Sequence, residues 1–355
     1  MHNSPAEDGV EEECCSLNSN PSAAVDSVLG QSALRLGLGV GSSQTPGPDE
    51  YDWSSFRDDD ILHQQSNILE EEAEKMLCVG EKEPLSALAA EYQSGSPILL
   101  EKIKMLSEHY SGIRRTRGDG NCFFRSFMFS YLEHILETQD KAEVYRIKSD
   151  IEECKKTLQN LGYADFTFED YFDTFIELLD GVIQGGEGSI SAKELLQKCQ
   201  DRSYSDSMVM FFRFVTSGEI RRRAEFFEPF ILGFTNGIGT VDQFCKTSVE
   251  PMGEESDHIH ITALSDTLGV AVRIVYLDRS SCDGGVLNVN HHDFVASQDA
   301  PEGGNPSRPF VTLLYRPGHY DILYGKLPPS LSLSLSLYIY IYISSESLMA
   351  LWRRG

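Results

Sequence analysis

Cys122 is flanked by Gly118-Asp119-Gly120-Asn121 on one side and by Phe123-Phe124-Arg125-Ser126-Phe127 on the other. Two glycines loosen the backbone just before a thiol. After the thiol the apolar spacing turns helical, with Phe124, Phe127, Met128, Tyr131, Leu132 and Ile135 on one face. The cysteine therefore stands in the first turn of a buried helix, where unpaired amide N–H groups and the positive end of the helix dipole favour a thiolate. A thiolate nucleophile needs a base, and the base needs a third group to orient it. Gly318-His319-Tyr320-Asp321 offers both. On a strand, His319 and Asp321 leave the same face. The carboxylate can then accept a hydrogen bond from one imidazole nitrogen while the other faces Cys122. A His-x-Asp strand is by itself unspecific. Asp119 adds to it, because acyl transfer needs donors aimed at a developing oxyanion. The Cys122 N–H is one such donor, the glycine-flanked loop can turn another inward, and Asp119 can hold that loop by accepting from nearby amides. The plainer alternative is that Asp-Gly-Asn only makes a turn and caps a helix.

The elements that must bring these residues together read as mostly helices around a small sheet, an α+β class, in one domain over about 51–326. Ile61, Ile68, Leu69 and Met76 share a helical face, as do Leu85, Leu88, Ala89 and Tyr92, and then Leu99, Ile103, Leu106 and Tyr110. Val144, Ile147, Ile151, Cys154 and Leu158 form a further stripe, and Met208, Phe211, Phe212 and Val215 another. Thr167 with Asp170, and Ser191 with Glu194, predict capped helix starts, with a loop at Gly185, Gly186 and Gly188 between them. Asp257 predicts the cap of a helix ending at Gly269. Residues 270–277, 310–315 and 319–324 predict strands, with Arg316-Pro317-Gly318 as the turn between the last two. Residues 279–309 are polar and read as a surface loop or loose hairpin. Residues 1–50, rich in Ser, Gly, Pro and acid, predict a disordered leader. Residues 327–355 include Leu-Ser and then Tyr-Ile alternation, the pattern of translated simple-sequence DNA, and read as a low-complexity tail foreign to the fold.

Among 355 residues the formal charge is −25 and 41% are apolar, enough for a sizeable core. That charge argues against a nucleic-acid binder, which needs clustered Lys and Arg, and suits a basic partner. The tail is too short and too hydroxylated for a membrane span. The N-terminal segment lacks the apolar run of a secretory signal. The eight cysteines include no C-x-x-C pair and no zinc spacing, so no metal or cofactor is expected. Free thiols in a reducing cytoplasm or nucleus are the expected state. His258 and His260 are alternate residues on a predicted helix and do not share a face. His291-His292 sits in a polar stretch, and neither pair reads as a metal site. Cys154, Cys199 and Cys245 fall at apolar positions as small hydrophobes, and Phe211-Phe212 and Phe226-Phe227 read as core.

Asp119-Gly120-Asn121-Cys122-Phe123-Phe124-Arg125 resembles the cysteine box of the OTU (ovarian tumour) deubiquitinases. Ile113-Arg114 and Thr116-Arg117 before it narrow the resemblance to the otubain subfamily. Phe168-Glu169-Asp170, Thr216-Ser217-Gly218, Glu250-Pro251-Met252, residues 255–261 and Leu314-Tyr315-Arg316-Pro317-Gly318-His319-Tyr320-Asp321-Ile322-Leu323-Tyr324 follow in family order. The resemblance runs from about residue 60 to 325. It implies a papain-like OTU fold and hydrolysis of isopeptide bonds made by the C-terminal glycine of ubiquitin. It implies Cys122 as nucleophile, His319 as general base, Asp321 as the residue orienting it, and Asp119 as support of the oxyanion loop. It implies that the region 51–110 is a helical arm contacting a second ubiquitin, favouring the chain type that marks proteins for the proteasome. Ubiquitin, polyubiquitin chains and ubiquitin-conjugating enzymes are the implied partners. Two alternatives stay open: a non-catalytic module that holds ubiquitin or a conjugating enzyme, and another papain-like acyl transferase. Gly118 departs from the proline that otubains often carry there.

Overall fold

The computed structural model describes residues 74–185, 188–235, 237, 239–280, 287–295 and 309–326. All belong to one of the chain's two units, Arg57–Gly355; the other, Met1–Phe56, lies outside the described residues. The expected leader, the helical face of Ile61, Ile68 and Leu69, and the tail at 327–355 also fall outside them.

In chain order the elements are β1 (Val79–Glu83), α1 (Leu85–Glu91), α2 (Pro97–His109), β2 (Tyr110–Thr116), α3 (Cys122–Thr138) and α4 (Lys141–Asn160). A 3₁₀ turn (Asp165–Thr167) leads to α5 (Glu169–Gly181), α6 (Ala192–Gln200), α7 (Arg202–Arg222), α8 (Ala224–Phe234) and α9 (Val241–Phe244). A π-helical turn (Cys245–Val249) precedes α10 (His258–Leu268), and β3 (Val272–Tyr276), β4 (His291–Phe294), β5 (Val311–Arg316) and β6 (His319–Gly325) complete the order. The six strands form one mixed sheet in the order β1-β2-β6-β5-β3-β4. Only β3 and β5 run parallel; the other neighbours are antiparallel.

The strand period of two sorts side chains between the two faces. Ile274, Leu313, Tyr320 and Ile322 join the main core with α3 and α7. Val275, Leu314 and Leu323 face the other way and pack with Leu85 and Leu88 of α1 and Leu99, Ile103 and Leu106 of α2. The sheet is thus covered on both faces, by α1 and α2 on one and by the remaining large helices on the other. Asp321 shares its parity with Leu323, so its side chain leaves on the α1/α2 face.

Helix α3 is buried at every residue from Cys122 to Leu132, not along the single stripe that its spacing predicts. Neighbouring rings explain this: Phe127 meets Phe212 of α7 edge-on at 5.4 Å, and Phe123 meets Tyr320 of β6 at 5.5 Å. Each such phenylalanine, removed from water, stabilises the fold by about 1.5–3 kcal/mol. A helix gripped on all sides cannot shift along its axis without breaking these contacts, so the position of its first residue is fixed.

Several expectations need correction. Tyr110 opens β2 as well as ending a helix, and Met76 is 43% exposed in a bend outside any helix. The predicted Thr167 cap does not form: Thr167 ends the 3₁₀ turn, and α5 begins after Phe168 with no side-chain cap. Ser191 and Glu194 do form a reciprocal capping box. Phe227 is buried, but Phe226 is 45% exposed, because it turns outward from α8. His291 and His292 lie on β4, paired with β3, and not in a loop. Asp257 caps α10 through Ile259 N–H (2.8 Å), and Gly269 ends that helix in the left-handed conformation.

Candidate active site

Two glycines and a buried arginine shape the chain before Cys122. Gly120 has φ +75°, and a Cβ there would stand 1.7 Å from the Gly253 carbonyl oxygen, so no other residue fits without moving one of the two loops. Gly253 N–H donates to Asn121 Oδ1 at 3.0 Å. Arg213, fully buried on α7, donates from Nη2 to the same Asn121 oxygen at 2.7 Å and to the Glu254 carbonyl at 2.7 Å, and from Nη1 to the Val249 carbonyl at 2.8 Å. Burial lowers the pKa of this guanidinium to about 10 despite the charges of Glu254 and Asp119. The loop at 118–121 is thereby tied to the loop at 249–254.

Asp119 accepts from Asn121 N–H at 3.1 Å and from Arg125 Nη1. Arg125 is also fully buried; it donates from Nη2 to Asp206 at 2.6 Å and from Nε to Ser205 at 3.0 Å. Burial opposes its charge, but the hydrogen bond and charge of Asp119, with Asp206, carry its pKa above the ordinary value. Asp119 therefore fixes the loop. A cleft of about 500 Å³ opens on this side, bordered by Asp119, Asn121, Asp206, Arg202, Met252 and Gly253. Neither Cys122 nor His319 lines it.

Cys122 begins α3 and is 3% exposed. Its Sγ accepts the Tyr320 N–H at 3.4 Å, a contact that suits an anionic sulfur. His319, the first residue of β6, places Nε2 3.0 Å from Asp321 Oδ1. The His319 side chain is also in hydrogen-bonding contact with Cys122. Burial opposes the imidazolium, yet the hydrogen bonds to Asp321 and Cys122 and their charges raise the His319 pKa to about 10. Asp321 is fully buried and accepts further from Thr116 N–H at 3.1 Å and from Arg316 Nη2 at 2.6 Å. Burial alone would raise its pKa, but the hydrogen bond and charge of His319, then Arg316 and Arg115, hold it below the usual carboxylate range.

The fold thus brings Cys122, His319 and Asp321 into one chain of contacts, with Asp119 buttressing the loop beside them. Sulfur, imidazole and carboxylate in this order can attack a carbonyl carbon and shuttle a proton to a leaving group. Arg213 and Arg316 were not legible in the sequence. Arg316 stands inside the motif around His319, but what an arginine pairs with depends on strand order, which local spacing does not carry. His258 and His260 are apart: His258 Nε2 meets Tyr276 Oη at 3.1 Å, and His260 bonds Asp257 and the Ser248 carbonyl. Cys154, Cys199 and Cys245 are buried, and burial raises each thiol pKa, to about 12, 12 and 11. Among the described residues no group of three His, Cys, Asp or Glu side chains is placed to hold a metal ion, and no helix is long and apolar enough to cross a membrane.

The family model described as Peptidase C65 Otubain matches residues 70–325. The OVARIAN TUMOR DOMAIN-containing deubiquitinating enzyme 1 of Arabidopsis thaliana is 70% identical over 266 residues, 75% of this chain and 86% of that protein. The human ubiquitin thioesterase OTUB1 is 44% identical over 267 residues, 75% of this chain and 90% of its own. A solved complex of ceOTUB1 with ubiquitin aldehyde and UBC13~Ub superposes with a TM-score of 0.65 at 34% identity, covering 74% of this chain and all of that one. A second, of h/ceOTUB1 with ubiquitin aldehyde and UBCH5B~Ub, gives 0.63 at 34%, covering 76% and 99%. The mixed sheet with helices on both faces is the OTU papain-like α+β fold, and the chain belongs to the otubain family of C65 peptidases.

Proposed function

We propose that this otubain is a cysteine deubiquitinase in which Cys122 is the nucleophile, His319 the acid and base, Asp321 the group orienting His319, and Asp119 the support of the oxyanion loop. The observation that carries the reading is the contact chain from Cys122 through His319 to Asp321. Relatives named as deubiquitinating enzymes and ubiquitin thioesterases support the substrate class.

The Cys122 thiolate attacks the carbonyl carbon of ubiquitin's C-terminal glycine in its isopeptide bond to lysine. The developing oxyanion faces the start of α3, where the Cys122 N–H and loop amides can donate to it. Collapse breaks the C–N bond as the His319 imidazolium gives its proton to the departing lysine nitrogen. A thioester remains. His319, now neutral, takes a proton from water, whose oxygen attacks the thioester carbon. The C–S bond breaks, restoring the thiolate beside the imidazolium and releasing ubiquitin's carboxyl group, which gives its proton to solvent or to the freed lysine amine.

Finer parts of the reading concern partners and place. The region 51–110 is the proposed contact for a second ubiquitin, with preference for the proteasome-targeting chain type. Ubiquitin-conjugating enzymes are proposed partners, since the solved relatives were captured with UBC13~Ub and UBCH5B~Ub. A reducing cytoplasm or nucleus is the proposed location. Incubation with a ubiquitin bearing a C-terminal electrophile, read by mass spectrometry, tests the core of it. One adduct on Cys122, abolished by Cys122→Ala, is expected. An adduct on another cysteine, or intact diubiquitin of every linkage after long incubation with fresh reductant, would overturn it. Retention of conjugating-enzyme inhibition by Cys122→Ala would show the binding role to be separable from hydrolysis.

A further inference from the structure

Asp321 has a second side. Its Oδ1 serves His319 and the Thr116 N–H; its Oδ2 faces two guanidiniums, Arg316 Nη2 at 2.6 Å and Arg115 Nη1 at 3.8 Å. Arg316 ends β5 and Arg115 lies on β2, the strands on either side of β6. Both guanidiniums also meet one carboxylate, Glu91, the last residue of α1. Arg115 pairs with it through Nη2 and at 3.4 Å through Nη1, and Arg316 Nη1 lies 3.7 Å from it. Glu83 of β1 lies 3.9 Å from Arg115 Nε, and Tyr92 hydrogen-bonds Arg316. The side chain of Asp321 is fully buried, whereas that of Glu91 is 49% exposed.

Two cations on one carboxylate would draw its charge away from the imidazole. Glu91 offsets them: Asp321 and Glu91 together balance Arg115 and Arg316, so the negative charge of Asp321 stays available to His319. The guanidiniums in turn prevent Asp321 from rotating, because a buried carboxylate that leaves them would lie unpaired. We propose that Arg316, Arg115 and Glu91 are positioning residues for hydrolysis, which hold the carboxylate of Asp321 toward His319 and make the seating of α1 a condition of an ordered site. This rests on the reading that Asp321 orients His319. The other charged or titratable group against His319 is Cys122; beside the neighbouring Gly318, Glu255 Oε1 would lie 3.6 Å from an added Cβ, and the Tyr315 hydroxyl accepts the Gly318 N–H.

The experiment uses the full chain and three variants: Glu91→Ala, at a half-exposed helix end where folding survives, and Arg316→Met with Arg316→Lys as conservative rescue. Steady-state cleavage of diubiquitin gives kcat and KM. Histidine-selective NMR, with the His319 resonance assigned by its loss in His319→Gln, follows the imidazole titration without any substrate. Glu91→Ala is expected to lower kcat severalfold at unchanged KM and to move the His319 titration down by about half a pH unit or more, since it leaves the guanidiniums unopposed. Arg316→Met is expected to lower kcat by about tenfold, well short of the roughly 10⁴-fold that disabling the orienting acid costs in a Ser-His-Asp site, and Arg316→Lys to restore part of it. An unmoved His319 titration and unchanged kcat in folded Glu91→Ala would overturn the proposal. So would losses that follow thermal stability alone. A shifted titration in a protein that cleaves no ubiquitin chain would uphold the positioning role while refuting the assigned activity.

Discussion

Replacing Gly120 by alanine tests the loop that would build the oxyanion site. The residue has φ +75°, where a Cβ costs about 1–2 kcal/mol. The added carbon would also stand 1.7 Å from the Gly253 carbonyl oxygen and 2.3 Å from its carbon. Both are backbone atoms and cannot rotate away, so one loop must retreat by roughly 1 Å or more before the contact becomes tolerable. That retreat strains the hydrogen bonds that Asn121 Oδ1 accepts from Gly253 N–H and Arg213. With a bond to a charged donor worth about 1.5–3 kcal/mol, the expected loss of stability is about 2–4 kcal/mol. A 1 Å misplacement of donors around a reacting centre lowers the rate by about 10²-fold. Urea unfolding gives the first quantity, and kcat/KM on a fluorogenic ubiquitin conjugate the second. Gly118→Ala is the control: its Cβ would rest 3.5 Å from His319 Nδ1, an ordinary contact. It should change kcat/KM by no more than a few fold. A Gly120→Ala protein as stable and as active as the parent would refute the argument that these two loops are locked together.

Four other outcomes are expected. His319, with its pKa raised to about 10, should keep its proton through neutrality. The alkaline limb of kcat/KM should therefore fall near pH 10 and not near 6.5; stability from this group should be complete below about pH 6.5 and disappear as pH rises through 10. Asp321 works in the opposite sense: its contribution is present above the ordinary carboxylate range near pH 4 and is lost on acidification. Arg125→Met leaves Asp119 and Asp206 without their shared buried cation and should destabilise by about 3–5 kcal/mol in denaturant titrations. Asp257→Ala removes the cap of α10 and should cost about 0.5–2 kcal/mol by the same measurement, with little change in kcat.

Legibility in the sequence followed the range of the interactions. The start of α3 at Cys122, the Asp257 and Ser191 caps and the Pro317-Gly318 turn each depend on residues a few positions apart, and local spacing displays them. Strands β1 and β2 were hidden for the converse reason. β2 reads Tyr-Ser-Gly-Ile-Arg-Arg-Thr, yet it lies inside the sheet. Its arginines are tolerable only because Arg114 meets Tyr324 and Glu133 and Arg115 meets Glu91, partners on other elements. β4 is four residues long and polar but for Phe294, so pairing with β3 alone marks it as a strand. At the candidate site, Cys122, His319 and Asp321 stood out by type and motif. The buried arginines that hold their surroundings did not, since a charge buried by tertiary contacts is indistinguishable in sequence from one on a solvated face.

The position of β6 has a consequence for how the molecule comes into being. Among the described strands it comes last in chain order, yet it is inserted between β2 and β5. Until residues 319–325 emerge, the β1-β2 pair and the β5-β3-β4 half have no ladder between them, and the nascent chain carries Cys122 without His319. A polypeptide halted before that strand is therefore left with the facing edges of β2 and β5 unpaired, and with Cys122 but neither His319 nor Asp321.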